Sequence, residues 1–107
     1  LDCITWMPEP EWSYSTHWIS ACVISEDAPF SSYDLMNKLS SELIEGRPVW
    51  KPMHLQPVFK GCDFYTHMDN GSVSENLFKQ GVCLPSGSNM SDSNIDRVIS
   101  VIKSMAV

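Results

Sequence analysis

Trp50, Met53, His54 and Gln56 fall in a run, Arg47 through Phe59, whose three prolines (Pro48, Pro52 and Pro57) suit neither a regular helix nor a central strand. Each proline fixes its own φ near the polyproline value and pushes the residue before it (Arg47, Lys51 or Gln56) toward an extended conformation. Side chains on such a stiff ribbon have little backbone entropy left to lose on meeting a ligand. An indole, a thioether, an imidazole and a carboxamide held in this way suit one wall of a binding site. The other reading is a proline-rich edge segment whose tryptophan fills the core, and the residues by themselves leave both open.

The remaining reactive residue types are scattered. Four cysteines, Cys3, Cys22, Cys62 and Cys83, contain no C-x-x-C pair. Two of them lie in apolar strand-like runs, Ala21-Cys22-Val23-Ile24 and Val82-Cys83-Leu84, where a thiol behaves as a small hydrophobe. Buried free thiols are therefore expected, which fits a reducing, cytoplasmic setting. Cys62, Asp63 and His67 lack a second close pair of ligands, so a surface loop is expected there and no metal site. The lysines are Lys38, Lys51, Lys60, Lys79 and Lys103; only Lys51, inside the ribbon, is placed to meet a phosphate or a carboxylate.

These residues need elements to hold them. Residues 1 to 16, with Pro8, Pro10, Trp6, Trp12 and Tyr14 among acids, read as an extended lead-in. Trp18 to Ile24 reads as a strand placed centrally. Ser31 and Asp34 form a capping box opening a helix of about three turns, with Leu35, Met36, Leu39 and Leu43 at helical spacing and Gly46 as its stop. The ribbon starts as a strand over Arg47 to Trp50 and then turns irregular. Residues 60 to 71 read as loop, with a turn at Asn70-Gly71. Ser72 and Glu75 make a second capping box for a short helix through Leu77 and Phe78 that ends at Gly81. Val82 to Leu84 is a short strand stopped by Pro85. A turn over Ser86 to Asn89 leads to a last helix capped by Ser91, with Ile95, Val98, Ile99 and Ile102 as its core stripe. Strand and helix alternating three times predicts a small two-layer α/β sandwich.

At 107 residues and 43% hydrophobic content the chain is one domain with a modest core. A net charge of −6 disfavours nucleic acid and anionic lipid as partners, since both are bound through a basic face. No run approaches the roughly 20 apolar residues of a membrane-spanning helix.

Three blocks occur in a telling order: His17-Trp18-Ile19-Ser20, then the ribbon, then Glu75-Asn76-Leu77-Phe78 running on through Gly81-Val82-Cys83-Leu84-Pro85-Ser86-Gly87-Ser88-Asn89-Met90. Over nearly its whole length the chain resembles the C-terminal domain of the DegT/DnrJ/EryC1/StrS sugar aminotransferases, which are fold-type I pyridoxal-phosphate enzymes. It is most similar to members that aminate UDP-4-keto-6-deoxy-N-acetylglucosamine in bacillosamine and exopolysaccharide pathways. The resemblance implies an α/β (α+β) fold, a short and mostly antiparallel sheet with helices on one face. It also implies that a large domain preceding residue 1 carries the Schiff-base lysine, the acidic partner of the pyridine nitrogen and the phosphate cup. On that reading residues 1–107 are the small domain alone, which supplies no catalytic or cofactor-binding group and does not transaminate in isolation.

The same resemblance assigns roles along the ribbon. In Pro52-Met53-His54-Leu55-Gln56-Pro57 it makes His54 an orienting contact to the cofactor–sugar adduct or its phosphates; the alternative is a histidine satisfied by backbone carbonyls. Trp50 and Met53 are candidates to pack on the sugar or nucleobase, with core filling the alternative for Trp50. Arg47 binds a phosphate or pairs with a carboxylate of the large domain. Glutamate is the implied amino donor, a UDP-linked 4-keto-6-deoxy sugar the acceptor, and a homodimer the implied assembly. The reading from another class is a non-catalytic interaction module that shares this small domain.

Overall fold

The computed structural model describes residues 1–67 and 71–106. Its organising strand is β2, Ser20–Ile24, in which Cys22 and Ile24 turn into the core while Ala21 and Val23 face the other side. Strand β4, Gly81–Leu84, runs antiparallel to it with Val82 opposite Cys22 and Leu84 opposite Ser20, so the apolar faces of the two strands coincide. Strand β1, Ile4–Trp6, pairs with the outer side of β2, and strand β3, Arg47–Pro48, with the outer side of β4. The sheet order is β1-β2-β4-β3, antiparallel throughout, and β2 is an inner strand as expected.

Three strand boundaries differ from expectation, each for a local reason. Residues 1 to 16 are more than a lead-in, because Ile4–Trp6 forms an edge strand. Its side chains are half-buried or exposed, so pairing shows in the backbone and leaves no period-two pattern in the sequence. Strand β2 begins at Ser20, leaving Trp18 exposed. Strand β3 stops after Pro48, which has no N–H to extend the ladder.

Helix α1, Ser32–Ser41, opens with the expected capping box. The Asp34 N–H donates to Ser31 Oγ at 3.1 Å, and the Ser31 N–H donates to Asp34 Oδ2 at 2.9 Å. Hydrogen bonds from the Ser31 hydroxyl and then its N–H hold the Asp34 carboxyl below the usual carboxylate range. The helix ends earlier than Gly46. Glu42 is its C-cap, and Leu43, at φ 58°, supplies the left-handed residue that a glycine usually provides. The Ile44 N–H donates to the Leu39 carbonyl at 2.9 Å and the Leu43 N–H to the Ser40 carbonyl at 3.0 Å, which completes a Schellman motif. Arg97 of the last helix donates to the Glu42 carbonyl. Leu43 thus leaves the apolar stripe and is 91% exposed, while Ile44 takes the inward position. A non-glycine residue at positive φ is strained, so Leu43→Gly is expected to raise stability by about 0.5–1 kcal/mol, measured as a higher urea midpoint at unchanged slope.

Helix α2, Val73–Gln80, is capped by the Ser72 hydroxyl, which accepts from the Glu75 N–H at 3.4 Å. Buried Ser32 donates its hydroxyl to the Lys79 carbonyl at 2.6 Å and ties the start of α1 to the end of α2. Helix α3, Asp92–Met105, is capped by Ser91 as expected and buries Val98, Val101 and Ile102. Ile95 and Ile99 are 44% and 40% exposed, so the outer half of the expected stripe borders a groove instead of filling the core.

The core lies in one layer. Cys22, Ile24, Val82 and Leu84 of the sheet meet Leu35 and Leu39 of α1, Val98, Val101 and Ile102 of α3, and Phe30 and Ile44 from the loops. This is the expected two-layer α/β arrangement. All four cysteines are free. Burial, with Cys83 nearby, pushes the Cys22 thiol up to about 11 and keeps it an inert hydrophobe. Cys62 departs from the expectation of burial: it is exposed in a loop. The turn expected at Asn70-Gly71 lies at Asn70 outside the described residues. Among the described residues no group of histidines, cysteines and acids is arranged to hold a metal ion, and no helix is long and apolar enough to cross a membrane.

Candidate functional site

The proline run folds as its composition demands. After β3 the chain passes Val49 and Trp50, anchors on buried Pro52, and continues as two single 3₁₀ turns, Met53–Leu55 and Pro57–Phe59. Pro52 (φ −55°, ψ 145°) and Gln56 (φ −79°, ψ 136°) hold polyproline-like geometry between the turns. The Gln56 amide reaches back to the Lys51 carbonyl at 3.4 Å and the Met53 sulfur at 3.6 Å, bracing the bend. With the backbone fixed and Pro52 turned inward, Trp50 and Met53 are left exposed. Trp50 therefore does not fill the core.

His54 is the enclosed member of the ribbon. Its side chain is 15% exposed, its Nε2 lies 2.7 Å from Glu75 Oε1, and its ring stacks on Phe64 with centroids 3.6 Å apart and planes 20° from parallel. The partner of the imidazole is thus a carboxylate from α2 and not a backbone carbonyl. Glu75 occupies the position from which a capping-box acid would reach back to the Ser72 N–H, and it spends its carboxylate on His54 instead. Only half of the second capping box forms.

Arg47 is engaged by its own chain: its Nη2 and Nε lie 2.6 and 2.7 Å from Glu45 Oε1. Both side chains are largely exposed, so the pair is a solvated one of small energetic consequence. Arg47 borders a shallow hollow with Ile19, Cys83 and Pro85. Trp50 lines a different and larger groove of about 570 Å³ across the sheet face opposite the core, with Trp6, Ala21, Val23, Val49 and Leu77. Met53 and His54 line neither cavity. The four ribbon residues share a segment without converging on one pocket of this chain.

Pyridoxal phosphate needs a lysine for its aldehyde and an acid for its pyridine nitrogen. Lys38 pairs with Glu42 at 2.8 Å and Lys79 with Glu26 at 3.3 Å, while Lys51, Lys60 and Lys103 are exposed. None of them borders the grooves described.

An antiparallel sheet covered by two helices, with a proline-fixed ribbon leaving its edge, is a fold found within aminotransferases. A DegT DnrJ EryC1 StrS aminotransferase from Brucella abortus matches it at a TM-score of 0.74 and 26% identity, over 98% of this chain and 26% of that one. The chain belongs to the DegT/DnrJ/EryC1/StrS aminotransferase family, whose model matches residues 1–103. It is 47% identical over 102 residues to EpsN of Bacillus subtilis (strain 168), which is named as a pyridoxal phosphate-dependent aminotransferase; the match covers 95% of this chain and 26% of EpsN. GDP-perosamine synthase of Caulobacter vibrioides is 27% identical over 92 residues, 84% of this chain and 23% of its own length. The chain thus spans about a quarter of the length of the relatives it matches.

Two partners of His54, Glu75 and Phe64, are not evident from the sequence. Glu75 carried a signal, S-x-x-E, that capping explained fully. Phe64 lies in a stretch with no period, and its ring is brought to His54 only by tertiary folding.

Proposed function

We propose that this chain is the C-terminal small domain of a pyridoxal-phosphate-dependent nucleotide-sugar aminotransferase that moves the amino group of glutamate to a UDP-linked 4-keto-6-deoxy sugar. The observation that carries the reading is the 47% identity to EpsN, which extends over 95% of the chain. In this reading the cofactor and its lysine belong to a large domain outside residues 1–107, so no bond-making step falls to this chain. Its work is to present a stiff wall. Trp50 and Met53 offer exposed apolar contact area to the sugar or base, and His54 orients a polar group of the bound sugar. In the same reading Arg47 and Lys51 meet substrate phosphate or the large domain. The parent works as a cytoplasmic homodimer. The UDP-sugar assignment rests on the resemblance of the ribbon.

The test is an assay of the full-length protein with glutamate and a panel of UDP-, dTDP- and GDP-linked 4-keto sugars. Turnover is expected with the UDP-linked 4-keto-6-deoxy-N-acetyl sugar. His54→Ala is expected to raise KM for that sugar roughly tenfold, the value of one well-placed hydrogen bond, and to move kcat less. Unchanged KM and kcat would remove His54 from the site. Absence of amino transfer with every sugar would favour the non-catalytic interaction module.

A further inference from the structure

The carboxylate of Glu75 has left its capping duty for a half-buried imidazole 21 residues away, and an aromatic ring closes over that imidazole. A carboxylate oxygen only accepts, so His54 Nε2 carries the hydrogen in the 2.7 Å contact. In the neutral ring this leaves Nδ1 as an acceptor, because the hydrogen bond made at one nitrogen sets the role of the other. Among the described residues Nδ1 has no partner in the hydrogen bonds of the structure. The Phe64 stack removes the remaining freedom, rotation of the ring out of its plane.

We propose that Glu75 is a positioning residue for sugar binding: it fixes His54 as the Nε2–H tautomer and so offers Nδ1 to a hydrogen-bond donor of the sugar, a hydroxyl or the N–H of an acylamino group. The proposal rests on the reading of His54 as a sugar contact. It narrows that reading, because in the neutral ring Nδ1 takes a donor and not a phosphate oxygen, which is itself an acceptor. Phe64 limits ring rotation, and Glu75 sets which nitrogen carries the hydrogen. Truncating Glu75 spares the helix cap, since Ser72 Oγ accepts from the Glu75 backbone N–H and not from its side chain.

The experiment uses the full-length protein labelled with ¹⁵N-histidine. Long-range proton–nitrogen spectra are expected to show His54 as the Nε2–H tautomer, retained in Glu75→Gln, whose amide oxygen still accepts, and mixed in Glu75→Ala. In parallel, Glu75→Ala is expected to raise KM for the sugar roughly tenfold with kcat within about twofold, and Glu75→Gln to recover most of the loss. The double variant with His54→Ala is expected to be no worse than His54→Ala alone. An Nδ1–H tautomer in the unaltered protein overturns the proposal. So does a Glu75→Ala enzyme of normal KM beside an impaired His54→Ala enzyme, an outcome that leaves the site reading standing. A normal KM in His54→Ala removes the site reading itself, and the proposal with it.

Discussion

Leu39→Ala is expected to cost about 3 kcal/mol of stability. The side chain is fully buried where α1, the sheet and α3 meet, so truncation loses its transfer free energy and leaves a cavity that three packed elements cannot readily collapse. Leu39 also accepts the Ile44 N–H through its carbonyl, and its side chain sits in the same core cluster as Ile44, the contact that accompanies a Schellman turn. A domain of this size holds about 5–15 kcal/mol in all, so the variant spends a large part of its margin. A thermal midpoint lower by roughly 12 °C or more, with the urea slope unchanged, is the expected result. Four residues on, Leu43→Gly moves stability in the opposite direction, although leucine is the residue replaced in both. A Leu39→Ala protein within 0.5 kcal/mol of the parent (roughly the scatter of surface substitutions) would contradict the burial assigned to that side chain.

That contrast shows what the sequence made legible. The caps at Ser31, Ser72 and Ser91 and the inner strands β2 and β4 were readable because each is fixed by neighbours a few residues away. The stop of α1 was not. Glycine is the usual left-handed residue and Gly46 is the one at hand in the sequence, whereas the fold places Leu43 in that conformation to bring Ile44 inward. Strand β1 left no pattern because an edge strand of three residues is held by its ladder to β2 and not by burial. The stiffness of the ribbon followed from its prolines, and the exposure of Trp50 resolves the choice that composition left open against core filling. The surroundings of His54 were out of reach, since Glu75 and Phe64 meet it only after α2 and the loop before it fold back.

Gly81→Ala is expected to couple stability to the site, because Gly81 lies where α2, β4 and the ribbon converge. It is the C-cap of α2 and the first residue of β4, and its φ of −85° is open to any residue, so conformational freedom does not explain the glycine. Space does. A Cβ there would lie 2.4 Å from the Leu77 carbonyl oxygen and 2.7 and 2.8 Å from the two methyls of Val49. The carbonyl cannot yield cheaply, since it accepts the Gly81 N–H that closes the helix. Overpacking of this kind costs about 2 kcal/mol. The strain has two outlets: displacing α2 moves Glu75, and displacing Val49 moves the chain beside Trp50. Gly81→Ala should therefore lower the urea midpoint and, on the proposed reading of the ribbon as a sugar contact, weaken sugar binding by the folded full-length protein without any change to a ribbon side chain. Val49→Ala removes both colliding methyls, so the double variant should be more stable than the two single losses sum to. Strict additivity, or a Gly81→Ala protein as stable as the parent, would show that the helix, the strand and the ribbon do not share this contact.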